Sequence, residues 1–430
     1  MTSLLEKIDE NQTAALNAFY EKLRGHDARF VNHDKTFFLR FLIANKWNEK
    51  KAQQEIMSHL NWKHTNYISH LIDTSKEYEE FLGMCSHLGE SKDGHPVVVL
   101  QFGKIDSEGT RKTVPYIQML KSRMRIIKEF QDICEETSNR TGRIVDQIYL
   151  VLDFKDLKVL SMTGDWGWIN QYFSKTAVEL FPEMTAKIFV IHVKGVVTKI
   201  FEIFSVFMKD NIKSKLHVLA NDQNEVLLEY IDASVLPKCY GGQREDPQGD
   251  PFCNNIMTWP TTIDPSKYYG EIFKAHIKSE MEDIKVAPGG REILLVGKGK
   301  PGFMLKWNII SENGCIVMGL LHEREDKSKN YLLEPFRINS HLVPEVGQFP
   351  IKENGKYSIV LDNSYSHMQG KKLISNSLDS FEACPSSFSV TNRLFRAAMH
   401  IVGRIIATNI DKKTMEDSRH KAPPTVGPRM

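Results

Sequence analysis

The chain has 430 residues, which is enough for two or three domains that each bury a core. Lys and Arg number 56 against 54 Asp and Glu, so the formal net charge is +2 and the sequence lacks the strongly basic balance of a dedicated nucleic-acid binder. Its start, MTSLLEKIDENQ, has neither the basic nor the apolar run of a signal peptide, and no apolar run approaches the ~18 residues that span a bilayer. We therefore expect a cytoplasmic protein with no nucleic-acid partner, in which the six scattered cysteines are free thiols.

Residues 1–75 are predicted to form a helical module. Asp34 is a suitable N-cap for the segment DKTFFLRFLIANKW, and a second helix is predicted to begin at Asn48. The apolar faces consist of Phe37, Phe38, Phe41 and Leu42 in the first helix and Ala52, Ile56 and Leu60 in the second.

Short apolar runs between residues 76 and 245 are predicted to be buried strands. They are PVVVLQF at 96–102, QIYLVLDF at 147–154, KIFVIHV at 187–193 and LHVL at 216–219. A helical pattern at 165–180 separates two of them, with Trp168, Tyr172 and Leu180 on one side. Because strands alternate with helices, we expect an α/β domain with a mainly parallel sheet over 76–245.

The segment VVTKIFEIFSVFMKD at 196–210 has an unusually wide apolar face. Its apolar residues include Ile200, Phe201, Ile203, Phe204, Phe207 and Met208. Such a helix either packs on the sheet as part of the core or covers a cavity as a movable gate, and the pattern alone fits both.

After LPKCYGG (236–242), the pattern of alternating strands and helices ends. Residues 246–285 are predicted to be a proline-rich linker followed by a helix at 266–285. Residues 286–382 have the alternation of an all-β domain, with Phe303, Leu305, Trp307 and Ile309 on one face of a strand. Asn-Gly pairs at 313–314 and 354–355 predict hairpin turns, and GKGKPG at 297–302 is read as a turn because a strand, not a helix, follows it.

Residues 383–430 are predicted to be a basic amphipathic helix at 390–407 followed by a disordered tail. Arg393, Arg396, His400 and Arg404 form a basic stripe on an otherwise apolar cylinder. This helix either packs on the protein or lies on an anionic membrane surface.

No residue pattern predicts a catalytic centre. Asp153 and Asp156 end a predicted strand, but carboxylates in that position more often cap the next helix than act as acids or bases. The chain has no G-x-S-x-G, H-E-x-x-H or P-loop motif. We therefore expect no enzymatic activity, no cofactor and no metal.

Several segments resemble known lipid-transfer proteins. FFLRFLIANKW, DGHPVVVL, FPEMTAKIFVIHV, the apolar segment 196–208 and LPKCYGG are similar, in this order, to the CRAL-TRIO family. FMLKWNII, FRINSHLVPEVG and YSIVLDNSYSHMQGKKL resemble the GOLD β-sandwich. The two domains in this order resemble the supernatant protein factor (tocopherol-associated protein) family, and the similarity runs from about residue 10 to residue 380.

The resemblance implies a lipid cavity between the sheet and a gate helix at 196–210. In family members that bind phosphatidylinositol, a Glu and a Lys support the headgroup, and Glu183 and Lys215 stand at those positions. Ile43 and Asn45 replace two arginines of the family's helix motif, and Val196 replaces the proline before the gate.

The sequence thus predicts an α/β CRAL-TRIO fold, with an N-terminal helical module, followed by an all-β GOLD-like sandwich. The predicted function is to bind phosphatidylinositol, or a neutral lipid such as tocopherol or an isoprenoid, and to transfer or present it at membranes. The expected partners are the lipid, a transient membrane surface and a protein that binds the GOLD-like domain. An adaptor in membrane traffic or signalling, which uses that domain for protein binding, is the alternative.

Overall fold

The fold is known from a computed structural model. It describes residues 3–25, 28–30, 33–65, 85–158, 164–193, 210–219, 224–270, 282–375 and 381–383. Within these ranges no helix combines the length and apolar character needed to cross a bilayer.

The chain folds into an N-terminal helical layer, a sheet covered by helices and a β-sandwich. The described helices are α1 (Glu10–Arg24), α2 (Lys35–Ala44), α3 (Glu49–Thr65), α4 (Ser107–Thr113), α5 (Tyr116–Thr141), α6 (Gly164–Leu180), α7 (Asp210–Lys213) and α8 (Leu227–Tyr230). The strands are β1 (Ser86–Glu90), β2 (Pro96–Leu100), β3 (Ile148–Asp153), β4 (Thr185–Ile191), β5 (Leu216–Val218), β6 (Glu282–Val286), β7 (Arg291–Gly299), β8 (Phe303–Ser311), β9 (Ile316–Glu323), β10 (Lys329–Ile338), β11 (Glu345–Pro350), β12 (Gly355–Asp362), β13 (Lys371–Ser375) and β14 (Phe381–Ala383).

The N-terminal layer forms as the sequence predicts. The Asp34 carboxylate accepts a hydrogen bond from the Phe37 amide at 2.9 Å and caps α2. Asn48 caps α3 through the Lys51 amide at 3.0 Å. The predicted apolar faces are buried in one cluster, with Phe37 at its edge. α3 then contacts α6, where the Nδ1 atom of His59 lies 2.6 Å from the carbonyl oxygen of Leu180.

The central sheet has the strand order β1-β2-β3-β4-β5. The predicted strands β2, β3, β4 and β5 pair in parallel, and β1 adds an antiparallel edge that the sequence analysis did not predict. This arrangement confirms the predicted α/β class, with a mainly parallel sheet and an all-β region after it.

The two faces of the sheet are covered differently. One face packs against the chain that follows β5, in a cluster that includes Phe189, Leu236 and Tyr240. The opposite face lies toward α5 and α6. α5 follows Pro115 and ends at Gly142, whose φ of 68° is the left-handed conformation that glycine adopts without strain.

The C-terminal region is a sandwich of two antiparallel sheets. One sheet has the order β10-β9-β12-β7, and the other has the order β11-β8-β13-β6 with β14 also paired to β8. Leu305, Trp307 and Ile309 on β8 are buried between the sheets, as the alternation predicts.

Two predictions about the C-terminal half were wrong. Residues 282–285, assigned to a helix by the sequence, begin strand β6 and pair with β13, because their alternation fits a sheet edge. The Asn-Gly pairs do not close hairpins: residues 313–314 link β8 to β9 and residues 354–355 link β11 to β12, and each pair of strands lies in different sheets. The turn at 300–302 likewise crosses between sheets, from β7 to β8.

The sandwich and the helix-covered sheet share a hydrophobic core. Tyr116 and Ile117 of α5 are buried in the same cluster as Trp307. The Glu345 carboxyl group, at the start of β11, accepts hydrogen bonds from the backbone amides of Tyr116 at 2.9 Å and Ile117 at 3.1 Å. A side chain of the sandwich therefore satisfies the N-terminus of α5, for which Pro115 provides no side-chain cap.

Candidate functional site

A cavity of about 240 Å³ lies between helices α5 and α6 and the face of the sheet that they cover, here called the hollow face. Alternate residues of the strands form its floor: Leu100, Leu150, Leu152, Ile188, Val190 and Val218. The helices contribute Ile126, Ile127, Phe130, Phe173 and Ala177, and Phe181 follows the end of α6. The walls are mainly apolar, so the space suits a hydrophobic molecule better than a charged metabolite.

Glu183 and Lys215 meet at one end of this cavity. Lys215 donates a hydrogen bond to the Glu183 carboxylate and another, at 3.0 Å, to the Thr185 carbonyl oxygen. The Glu183 side chain is 3% exposed and that of Lys215 is 18% exposed, so the ion pair is largely withdrawn from water. The structure brings together the two residues that the resemblance placed at a headgroup site.

The turn that carries Glu183 is held in an unusual conformation. Its φ of 60° lies in the left-handed region, which costs free energy for a residue with a β-carbon. Arg40 of α2 donates to the Glu183 carbonyl oxygen at 2.6 Å, and Gln147 donates to the same oxygen at 3.1 Å. Arg40 also donates to the carbonyl oxygen of Asp146. These contacts fix the backbone, so the Glu183 carboxylate has a defined direction.

Polar groups also lie at the opposite end of the sheet. Asp153, at the end of β3, is 1% exposed and accepts from the Tyr240 hydroxyl at 3.0 Å and from the Lys155 amide at 2.8 Å. The Nδ1 atom of His192 lies 2.7 Å from the same carboxylate. These contacts join the ends of β3 and β4 to the chain that follows β5. Asp156 pairs with Lys104 at 2.7 Å.

Several predicted site residues lie outside the described residues. These are Ile200, Phe201, Ile203, Phe204, Phe207 and Met208 of the gate segment and Arg393, Arg396 and Arg404 of the basic segment. Among the residues that the structure describes, no three His, Cys, Asp or Glu side chains are grouped as a metal site would require.

Sequence reasoning missed the main wall of the cavity. α5 is the longest described helix, and its buried residues recur at spacings of three and four from Tyr116 to Thr137. That periodicity was the available signal. Arg123 falls on this buried stripe, and Gln101 directly follows β2; both line the cavity.

The model of the CRAL/TRIO domain matches residues 80–242. Residues 80–242 form a CRAL/TRIO domain. The domain belongs to a family of lipid-binding and lipid-transfer proteins, and its match covers the strands and helices that enclose the cavity.

Two relatives align over longer stretches. The phosphatidylinositol/phosphatidylcholine transfer protein SFH7 of Arabidopsis thaliana is 26% identical over 247 residues, which is 55% of this chain and 44% of that protein. Protein ctg-1 of Caenorhabditis elegans is 21% identical over 365 residues, 82% of this chain and 93% of that protein. The crystal structure of Sfh5 superposes with a TM-score of 0.46 at 14% identity and covers 63% of this chain and 98% of that one.

Proposed function

We propose that this protein binds one lipid in the cavity and transfers or presents it between membranes. The observation that carries the proposal is an apolar cavity within a CRAL/TRIO domain, with an ion pair at one end. Exposing a chain of ~16 methylenes to water costs on the order of 13 kcal/mol at ~0.8 kcal/mol per methylene. Apolar walls lower that cost, so exchange needs no covalent chemistry.

Described residues on both sides of the proposed gate segment line the cavity. Strand β4 ends at Ile191, and the residues that the structure describes next to the segment end at Val193 and begin again at Asp210; Val193 and Ile212 both line the cavity. A segment anchored at both ends on the cavity rim is in the right place to cover it. We propose that residues 196–210 open at a membrane surface, where their apolar side chains can contact lipid.

Glu183 and Lys215 are proposed to receive the polar head of the lipid. An ammonium group suits a phosphate charge, and a carboxylate can accept hydrogen bonds from sugar or inositol hydroxyls. The relative whose name includes phosphatidylinositol transfer supports this assignment. We further propose a cytoplasmic location with transient membrane contact, while the basic residues near 393–404 contribute to that contact.

The test fills the cavity and measures lipid transfer by the full chain. Val190→Trp places a large side chain on the cavity floor, whereas Met368→Trp adds the same group at a position that is 96% exposed. Lipids extracted from the purified protein are identified by mass spectrometry, and transfer of a fluorescent lipid between vesicles is followed in time. We expect Val190→Trp to lower the transfer rate at least about tenfold and the control to leave it unchanged, since a tenfold effect needs only ~1.4 kcal/mol.

A second pair of variants tests the headgroup assignment in the same lipid-transfer assay. The double variant Glu183→Gln/Lys215→Met removes both charges, so neither is left buried and unpaired. It is compared with Glu49→Gln/Lys22→Met, which removes an exposed pair. We expect only the first variant to slow phosphatidylinositol transfer. Protein that carries no lipid and takes none from vesicles would contradict the whole proposal.

A further inference from the structure

Arg123 is a buried cation on the side of α5 that faces the sheet. It has a residue exposure of 2% and lines the cavity. Ile126, Phe130 and Cys134 follow it at spacings of three, four and four residues, so the four side chains share one side of the helix. The three apolar members pack in one cluster with Leu100 of β2, on the hollow face of the sheet. Arg123 therefore projects toward the cavity and not toward the β-sandwich.

The guanidinium lies at the end of the cavity that is away from the ion pair. Its central carbon is 5.3 Å from the ring centre of Phe102, which lines the cavity two residues after the end of β2. Glu183 and Lys215 instead lie just before β4 and β5, which run parallel to β2 in the sheet. A strand of seven residues such as β4 spans roughly 20 Å at ~3.3 Å per residue. The two charged groups are thus well separated along the cavity.

The surroundings of Arg123 favour an anion in the cavity. Burial lowers the pKa of Arg123 to about 10, which still leaves the group protonated at neutral pH. A charge among apolar groups has lost the hydration that stabilises it in water. The same low polarity strengthens its attraction to an opposite charge. A bound molecule with an anionic group at this end would therefore be held by more than its contacts with the apolar walls.

We propose that Arg123 binds the carboxylate of a lipid acid whose hydrocarbon chain occupies the cavity. The planar guanidinium can donate two parallel N–H···O hydrogen bonds to the two carboxylate oxygens. An alcohol offers one uncharged oxygen and a hydrocarbon offers none, so Arg123 selects acids. This inference rests on the proposed lipid-binding function and adds fatty acids to its ligand class, bound without the headgroup pair.

The experiment measures binding of three probes of matched chain length to the delipidated full chain: oleic acid in its ionised form, oleyl alcohol and 1-octadecene. We expect oleate to bind at least about tenfold more tightly than the alcohol, a difference of ~1.4 kcal/mol. Arg123→Met keeps a long side chain without the charge, and it should abolish or reverse this preference because water solvates a carboxylate better than apolar walls do. The matched control is Arg140→Met on the same helix, where the side chain is 55% exposed and pairs with Glu90. The control should keep the preference for oleate.

The hydrocarbon probe reports whether each variant keeps its cavity. Octadecene depends only on apolar walls, so its affinity should not fall in Arg123→Met, and a loss of octadecene binding there would be resolved by repeating the series in Arg123→Gln. Equal affinities for oleate and oleyl alcohol in the unmodified protein, or a preference for oleate that survives removal of the Arg123 charge, would overturn the proposed carboxylate site. Failure of every probe to bind the unmodified protein would instead overturn the lipid-binding function itself.

Discussion

The two faces of the central sheet both carry apolar side chains but differ in how they are covered. Phe189 on one face is fully buried against Tyr149 and Tyr230, whereas its neighbours Ile188 and Val190 on the other face border the cavity. The packed face is closed by the chain after β5, while α5 and α6 leave space above the hollow face. Hydrophobic residues therefore mark which side chains avoid water, but the surrounding elements determine whether they contact each other or a ligand.

The largest expected effect is a difference in the free energy of unfolding between substitutions on the two faces. Phe189→Ala removes a ring from a closely packed cluster and should lower the free energy of unfolding by about 3–5 kcal/mol. Leu150→Ala, on the hollow face, should cost less than the usual ~2–5 kcal/mol because part of its surface borders an existing cavity. Urea unfolding of the full chain measures both. Equal losses would mean that ligand-free packing is the same on the two faces.

The next largest effect concerns α5, the helix that covers the hollow face. α5 is fixed at its N-terminus by Glu345, where burial raises the carboxyl pKa to about 8 while the two amide donors oppose the rise. The folded protein then retains a proton between about pH 4.5 and pH 8 that the unfolded chain has lost, so this group's contribution to stability falls as pH rises through that range.

Glu345→Gln removes this titration. The unmodified protein should lose up to ~1.4 kcal/mol per pH unit more than the variant between pH 5 and pH 8. Unfolding free energies at several pH values test the difference, with Glu325→Gln on the same domain as a control. Parallel pH profiles for the unmodified protein and Glu345→Gln would contradict the assignment.

The smallest expected effect concerns a second contact at the same helix end. The Asn339 amide donates a 2.8 Å hydrogen bond to the Tyr116 hydroxyl. Tyr116→Phe deletes that acceptor and keeps the ring, so the loss should be about 0.5–1.5 kcal/mol and nearly independent of pH. Thermal unfolding at two pH values distinguishes it from the Glu345 effect. A loss as large as that of Phe189→Ala would mean that Tyr116 supports far more than one hydrogen bond.

The sequence predicts strands β2, β3, β4 and β5 because each is a short apolar run, and a helical pattern separates β3 from β4. The caps Asp34 and Asn48 are also predictable, since a capping side chain acts on amides two or three residues away. The resemblance placed Glu183 and Lys215 at one site, and the structure pairs them. Local chemistry and motif order therefore account for most of the α/β domain.

The features that the sequence did not predict depend on contacts between residues that are far apart in the chain. Whether an Asn-Gly turn closes a hairpin or crosses between sheets is decided by where the next strand pairs, which residues 313–314 do not encode locally. Glu345 contacts α5 across more than 220 residues of chain, and no pattern around it indicates a partner.

Arg40 limits how the sheet can adjust to ligands of different size. By donating to the carbonyl oxygens of Asp146 and Glu183, which lie just before β3 and β4, it acts as a brace that fixes the spacing of those two strands at their starting edge. At the other ends of β3 and β4, the Asp153 carboxylate lies 2.7 Å from the Nδ1 atom of His192. The spacing of these two strands is therefore fixed at both ends, and a bulkier ligand must be accommodated by movement of the helices that cover the sheet.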